Sequence, residues 1–329
     1  VLAVHAHPDD ETLTSGALLA TWAVAGLPVT VVTCTRGERG EVIGAALASL
    51  EGDGPALARH RETEVAAATA ALGVRDHRFL DTLPPAPALR AAQRAGEVAG
   101  GGSAARYEDS GMAWVGTGRA GVAGDVPPGA FVAVPLDEAA GRLALLLRER
   151  RPDLVVTYEP GGGYGHPDHV RAHEMTTRAV ELAADASWTP AVAWAVAPAD
   201  ALRAGYAALA EDRAAATALA AHADDRRAIR ESPLWLPDPA GPLPTMAAPG
   251  PVDLVVDVRP VRDRVLAALR AHATQVQAVR ELGHPDAVAC YALSNLVLAP
   301  VLPAESYRWA PGRAPGPDLR LPPGARRHG

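Results

Sequence analysis

Val1-Leu2-Ala3-Val4-His5-Ala6-His7-Pro8-Asp9-Asp10-Glu11 opens the chain with an apolar run that stops at a Pro-Asp turn signal and passes at once into acidic residues. From Glu11 to Ala25 the apolar residues Leu13, Ala17, Leu18, Trp22 and Ala25 recur at near-helical spacing, and Val29 to Thr35 is a second short run rich in β-branched residues. The spacing predicts strand, helix, strand. Pro8 holds His7 extended and can start the turn or helix that follows.

The alternation continues with a helix from about Ala56 to Leu72 closed by Gly73, a strand around His77 to Leu80, a helix from about Leu136 to Arg151 and a strand Leu154 to Tyr158. Strands apolar on both faces, separated by amphipathic helices, indicate a mostly parallel sheet covered on both sides. The expected fold is therefore α/β and Rossmann-like. Further on, the pattern predicts a helix over Pro167 to Ala184, a strand Ala191 to Val196, an Ala-rich helix Ala201 to Ala221, a strand Leu254 to Val258 and a helix Val261 to Val279. Residues 84–105, 232–251 and 310–329, heavy in Pro, Gly and Ala, read as loops or a tail. No linker separates two domains, so residues 1–184 are expected to form a metal-binding catalytic core. Residues 185–309 would complete the same domain and its substrate pocket, with 310–329 a tail.

All 31 basic residues are Arg, so no mechanism here uses a lysine amine. A net charge of −7 argues against a phosphate-backbone partner, and nucleic acid is not expected. Cys34 and Cys290 sit far apart in apolar stretches and read as buried thiols of a reducing compartment. No apolar run of ~18 residues suggests a membrane span, and no charged start leads into an apolar signal segment. A cytoplasmic location is expected.

The tetrapeptide His7-Pro8-Asp9-Asp10 has a counterpart about 160 residues on, His166-Pro167-Asp168-His169. Each follows a predicted strand, and in parallel α/β sheets ligands bind beyond the carboxyl ends of the strands. A catalytic zinc takes three protein ligands and keeps one position open, a set that His7, Asp10 and His169 supply. Asp9 is placed to act as general base toward an activated water, and His166, when protonated, to donate to the oxyanion or leaving amine. Asp168 is expected to hold the His166 imidazole in its tautomer. A third copy, His284-Pro285-Asp286, follows no predicted strand and lacks the extra flanking ligand, so it reads as structural or surface. His5 is expected to be a satisfied core histidine, and His173 to support the site without ligating. Gly161-Gly162-Gly163 reads as a flexible lip over the site more than as a phosphate cradle.

These residues resemble the PIG-L/LmbE-like zinc deacetylases, whose hallmark is a strand ending in A-H-P-D-D-E, here Ala6 to Glu11. Within the family, four segments resemble members that act in mycothiol metabolism. They are Cys34 to Glu38, Gly40 to Gly44, Asp109 to Met112 and Gly162 to His169. The likeness covers most of residues 1–184 and returns at His272 to Gln275 and Ala292 to Asn295. The resemblance implies one Zn2+ per chain, with Fe2+ as an alternative in the cell, held by His7, Asp10 and His169, with Asp9 as base and His166 assisting the oxyanion and leaving group. It adds Tyr164 as a mobile tyrosine near the carbonyl, and Arg61 and Asp109 as contacts to sugar and inositol hydroxyls. It further implies a small N-acetylated glycoside as substrate, with deacetylation of N-acetylglucosaminyl-inositol in mycothiol biosynthesis as the leading activity. The alternatives are a mycothiol S-conjugate amidase or a deacetylase of another N-acetylated amino-sugar. The amidases carry a lysine shortly after H-P-D-D-E, where this chain has Thr12-Leu13-Thr14-Ser15-Gly16. A non-catalytic sugar-binding relative would lack a base or a ligand, and every one is present.

Overall fold

In the computed structural model, residues 1–86, 106–116, 119–122, 124–212, 215, 234–243, 247–248 and 250–328 are described. The first half runs β1 (Leu2–His5), α1 (Asp10–Val24), β2 (Thr30–Thr33), α2 (Gly54–Leu72), β3 (Asp76–Phe79), β4 (Met112–Gly116), β5 (Arg119–Val122), α3 (Leu136–Arg150) and β6 (Leu154–Tyr158). A turn of helix at Gly162–Gly165 then leads into α4 (Pro167–Ala183), β7 (Ala191–Pro198) and α5 (Ala199–Glu211). The remainder is β8 (Ala247–Ala248), β9 (Leu254–Asp257), α6 (Arg262–Ala271), β10 (Gln277–Glu281), β11 (Ala289–Ala292), β12 (Leu298–Val301), β13 (Ala304–Trp309) and β14 (Ala325–Arg327).

β1 pairs in parallel with β2 on one side and β6 on the other, and the main sheet runs in the order β14-β9-β13-β7-β6-β1-β2-β3. Five strands, β7-β6-β1-β2-β3, are parallel, while β13 runs antiparallel to both β7 and β9. The chain leaves β1 toward β2 and later returns to β6 on its other flank. The gap between β1 and β6 is thus a topological switch point, where an open α/β sheet leaves a crevice at the strands' carboxyl ends. Side-chain alternation divides the core. Ala3, Leu154 and Val156 pack toward α1, α2 and α6, while Leu2, Val4 and Val155 pack toward α3 and α4. A third cluster joins α5 to the small β10-β11-β12 sheet.

Helix α1 is broken at Ser15, whose φ of −146° is non-helical, so the N–H groups of Ala17 and Leu18 begin a new helical segment without intrahelical partners. The carboxylate of Glu305, on β13, accepts both at 2.6 and 2.8 Å, and the Tyr307 hydroxyl donates to it at 2.7 Å. Glu305→Ala leaves two buried donors unsatisfied, each costing about 1–3 kcal/mol. Urea unfolding is therefore expected to show a stability loss of about 2 kcal/mol or more, and an unchanged midpoint would contradict this capping role.

The structure departs from the sequence expectations in the C-terminal third. The helix expected over Val261 to Val279 stops at Ala271, because His272 turns the chain: its carbonyl accepts the N–H of Gln275 and Val276. Ala278 and Val279, at the end of the expected helix, lie instead on β10, which pairs with β11. Within the stretch expected to be a tail, residues 310–328 are tied to the body, since Val192 donates to the Arg313 carbonyl and β14 pairs with β9. Part of 232–251 is also ordered against the body, through a Trp235–Val297 bridge and the pairing of β8 with β7. Most of 84–105 lies outside the described residues, as does the segment after Glu211 where the Ala-rich helix was expected to continue, apart from Asp212 and Ala215. Among the described residues, no helix is long and apolar enough to cross a membrane.

Candidate metal centre and active site

Both tetrapeptides stand at the switch point. His7 follows β1 directly, and His166 caps α4, its Nδ1 accepting the Asp168 N–H at 3.1 Å, with Pro167 in the first turn. That cap places Asp168 and His169 on the opening turn of α4, facing the loop after β1. The result is a triangle of lone-pair atoms. His7 Nδ1 to Asp10 Oδ2, His169 Nε2 to Asp10 Oδ2, and His169 Nε2 to His7 Nδ1 are each 3.3 Å.

Tetrahedral coordination at about 2.0–2.1 Å puts donor atoms about 3.3–3.4 Å apart, so two imidazoles and a carboxylate at this spacing fit a divalent metal. Donor atoms of His166, Asp109 and Asp168 also gather within 4.8 Å of one another and of His7. Asp109 and Asp168 belong to the other side of the His7 ring, where Nε2 lies 3.2 Å from Asp168 Oδ2 and 3.7 Å from Asp109 Oδ1, while a ring nitrogen of His166 also falls within 4.8 Å of the donor atoms of His7 and His169. A proton on Nε2, shared with Asp168, leaves Nδ1 with its lone pair toward the triangle, the arrangement that orients a ligating histidine. Asp168 is fully buried and takes further hydrogen bonds from the Ser110 N–H, at 2.9 Å, and the Ser110 hydroxyl.

This corrects one expectation. The Asp168 carboxylate faces His7, not His166, because the α4 cap uses its backbone N–H for His166 and turns its side chain toward β1. His166 Nδ1, as acceptor, must be unprotonated, so a neutral ring carries its proton on Nε2. Burial, then the neighbouring His7 and His169, hold its pKa well below the usual imidazole value.

The two adjacent aspartates are driven apart. Burial opposes charge on Asp10, yet His169 and His7 together hold it well below the ordinary carboxylate range. Burial pushes Asp9 up to about 7, an effect that Arg61 opposes and Asp10 reinforces. The two adjacent carboxyl groups therefore sit in opposed electrostatic environments, one held charged and the other inclined to hold a proton. Burial likewise disfavours a charge on His7, but Asp10, Asp109 and Asp168 raise its pKa well above the ordinary value.

Asp9 sits at φ 112°, a region that side-chain-bearing residues rarely enter. Arg61, 2% exposed, donates through Nη2 to the Pro8 carbonyl and reaches Asp9 Oδ2 at 3.4 Å, while its Nη1 donates to the Gly37 carbonyl at 2.7 Å. Gly37, at φ +63°, has to be glycine, because a Cβ there would stand 2.0 Å from Arg61 Nη1. Arg61 is therefore chiefly engaged in fixing two loops. Asp109 accepts the N–H of Gly111 at 2.8 Å and of Arg39 at 3.3 Å.

A cavity of about 380 Å³ opens over the triangle. His7, Asp9, Asp10, Arg61, Asp109, Tyr164, His166 and His169 all line it, with Asp168 behind. Tyr164 stands edge-on to His169, ring centres 5.0 Å apart. Its turn is pinned by Glu159, which accepts the N–H groups of Gly161 and Gly163 at 2.6 and 2.8 Å, so these amides do not form a phosphate cradle. His5 is buried, 2.9 Å from the Ser15 hydroxyl, and His173 Nδ1 contacts the Tyr158 carbonyl at 2.9 Å. His284 is absent from the cavity and caps its own loop. Sequence reasoning missed Tyr158, which stacks on His169 with ring centres 4.2 Å apart and accepts the Ala6 N–H, and it missed Ser110. Tyr158 carried one usable signal, its position as the last residue of the strand flanking the switch point.

A switch-point crevice holding two imidazoles and a carboxylate at metal-ligand spacing, with a second carboxyl of raised pKa beside them, fits a site of the metal-dependent hydrolase class. Residues 2–180 match the model of the PIG-L family, GlcNAc-PI de-N-acetylase, and the chain belongs to that family. It is 46% identical over 321 residues to the 1D-myo-inositol 2-acetamido-2-deoxy-alpha-D-glucopyranoside deacetylase of Kineococcus radiotolerans, across 96% of this chain and 79% of that one. The identically named proteins of Rhodococcus erythropolis and Streptomyces avermitilis are 40% and 38% identical, over 95% and 96% of this chain and 91% and 94% of theirs. Among solved structures, a deacetylase–teicoplanin complex aligns over 83% of this chain and 87% of its own at 20% identity, with a TM-score of 0.43. The chain is an N-deacetylase, and deacetylases of its family depend on a metal.

Proposed function

We propose that this protein hydrolyses the acetamide of N-acetylglucosaminyl-inositol, a step of mycothiol biosynthesis, with one zinc ion held by His7, Asp10 and His169. The observation that carries the chemistry is the 3.3 Å triangle with Asp9 beside it. The same donor set suits ferrous iron, which is a cellular alternative. The substrate reading draws on relatives aligned over almost the whole chain, and the missing lysine weighs against an S-conjugate amidase.

When bound, the metal supplies an acidified water and an electrophile for the amide carbonyl. Asp9 accepts the proton of the attacking water. His166, through its Nε2–H, hydrogen-bonds the developing oxyanion, Asp9 passes the proton it has taken on to the leaving amine, and Tyr164 stands beside the carbonyl. Asp168 holds His7 in the ligating tautomer. Asp109 and Arg61 form the polar wall that meets sugar and inositol hydroxyls. Gln275, Ser294 and Asn295 also line the cavity, which supports the reading that residues 185–309 complete the pocket of a single domain.

Zinc-loaded protein is expected to release acetate from N-acetylglucosaminyl-inositol faster than from other N-acetylated sugars, and to cleave a mycothiol S-conjugate poorly. Preference for the conjugate, or equal turnover after chelation, would overturn the assignment. The base must be deprotonated to work, so kcat/KM should fall on the acid side as Asp9 gains its proton. Arg61 lowers the Asp9 pKa by its positive charge, and Arg61→Gln is expected to move that acid limb to higher pH. A pH profile of the variant with an unmoved limb would count against Asp9 as the titrating group.

A further inference from the structure

The Pro8–Asp9 peptide unit is gripped at both ends. Its carbonyl accepts from Arg61, and its N–H donates to Glu11 Oε2 at 3.0 Å. The grip matters because Asp9 occupies φ 112°, ψ −35°, and such a conformation persists only where surrounding groups over-determine it. The geometry points to Glu11 as a positioning residue that holds Asp9 in place through its backbone N–H, with His272, brought from the end of α6, as the anchor that fixes Glu11.

Glu11 and His272 are both fully buried. Glu11 Oε1 lies 2.7 Å from His272 Nε2 and accepts the Thr12 hydroxyl at 2.6 Å, which leaves Oε2 for the Asp9 N–H. The carboxylate is thereby fully committed and touches neither the cavity nor the triangle. Glu11 does not line the cavity, nor does His272. A carboxylate buried behind an active site, with one oxygen on the strained base loop and the other on an imidazole 261 positions away, has a fixed position to impose and no substrate to meet. Without it, the Asp9 N–H has no acceptor and the peptide is free to rotate toward an ordinary conformation, carrying the Asp9 carboxylate with it. Misplacement of a reacting group by about 1 Å is enough to cost 10²-fold in rate.

This inference rests on Asp9 being the general base, and the test separates the two. Glu11→Ala, Glu11→Gln, His272→Ala and Asp9→Asn are made singly, and Glu11→Ala and His272→Ala also in the Asp9→Asn background. All are zinc-loaded, with metal content and kcat and KM measured on the N-acetylated sugar. Glu11→Ala is expected to lower kcat about 100-fold with KM within about threefold and one metal per chain retained. Glu11→Gln keeps an oxygen acceptor for the Asp9 N–H and should lose less than about tenfold. His272→Ala, which removes only the anchor, should lose about tenfold and carries the test if Glu11→Ala does not fold. In the Asp9→Asn background neither change should cost more than about threefold, since both act through Asp9. Losses that multiply with Asp9→Asn, or a folded, metal-loaded Glu11→Ala or His272→Ala variant with wild-type kcat, would overturn the positioning role. Wild-type turnover in Asp9→Asn itself would instead overturn the reading of Asp9 as base.

Discussion

Asp10→Ala is expected to emerge from dialysis without metal and to turn over substrate at least about 10³-fold more slowly than the wild type. Asp10 supplies the one anionic vertex of the triangle, 3.3 Å from each imidazole nitrogen, and its second task is local: Oδ2 also accepts the His7 N–H at 2.9 Å. Its removal leaves two neutral imidazoles to hold a dication in a buried pocket, and uncovers the backbone N–H that aims His7. Loss of even an outer partner of a metal ligand costs about 10–100-fold in affinity, so loss of a charged ligand should exceed that range. Metal analysis after equilibrium dialysis at micromolar zinc, paired with acetate release, reads both effects. A variant that keeps stoichiometric metal at wild-type affinity would remove Asp10 from the ligand set.

Asp9→Asn is expected to keep its metal and lose about 10²–10⁴-fold in kcat, the usual contribution of a positioned general base. Asparagine is the informative replacement because it tolerates positive φ and leaves the Pro8–Asp9 peptide between Arg61 and Glu11. Only proton acceptance is removed. Metal content, KM and folding should then stay near wild type while turnover falls and the acid limb of the pH profile disappears. If turnover survives, the proton leaves by another route and Asp9 is not the base.

Much of this site was legible in the linear chain because its chemistry is concentrated in two tetrapeptides that each follow a strand. Pro8 and Pro167 announce turns, and imidazole and carboxylate at spacing three reach a common point from a helix start. The Asp168 contact was misassigned because which side of a helix cap its carboxylate faces depends on its neighbours across the crevice, and β1 lies about 160 residues away in sequence. Ser110 and Tyr158 were invisible for the same reason: a serine and a tyrosine carry no motif, and only the sheet order brings them to Asp168 and His169. In the fold, the parallel core followed from long periodic segments. The errors fell where strands of three to five residues, β10 to β12 and β14, draw their stability from pairing partners and not from their own pattern.

The cap that Glu305 places on the broken helix α1, together with the His272 anchor beneath the base loop, bears on how the molecule comes into being. A ribosome emits both site tetrapeptides by about mid-chain, but the groups that finish their supporting loop, His272 and Glu305, arrive near the end of synthesis. Until β13 threads between β7 and β9, the first helix lacks its internal cap and the sheet has an open, apolar flank at β7. A nascent chain should therefore gain its affinity for metal late and abruptly, and fragments that stop after the second tetrapeptide should expose sticky surface in place of a working half-site.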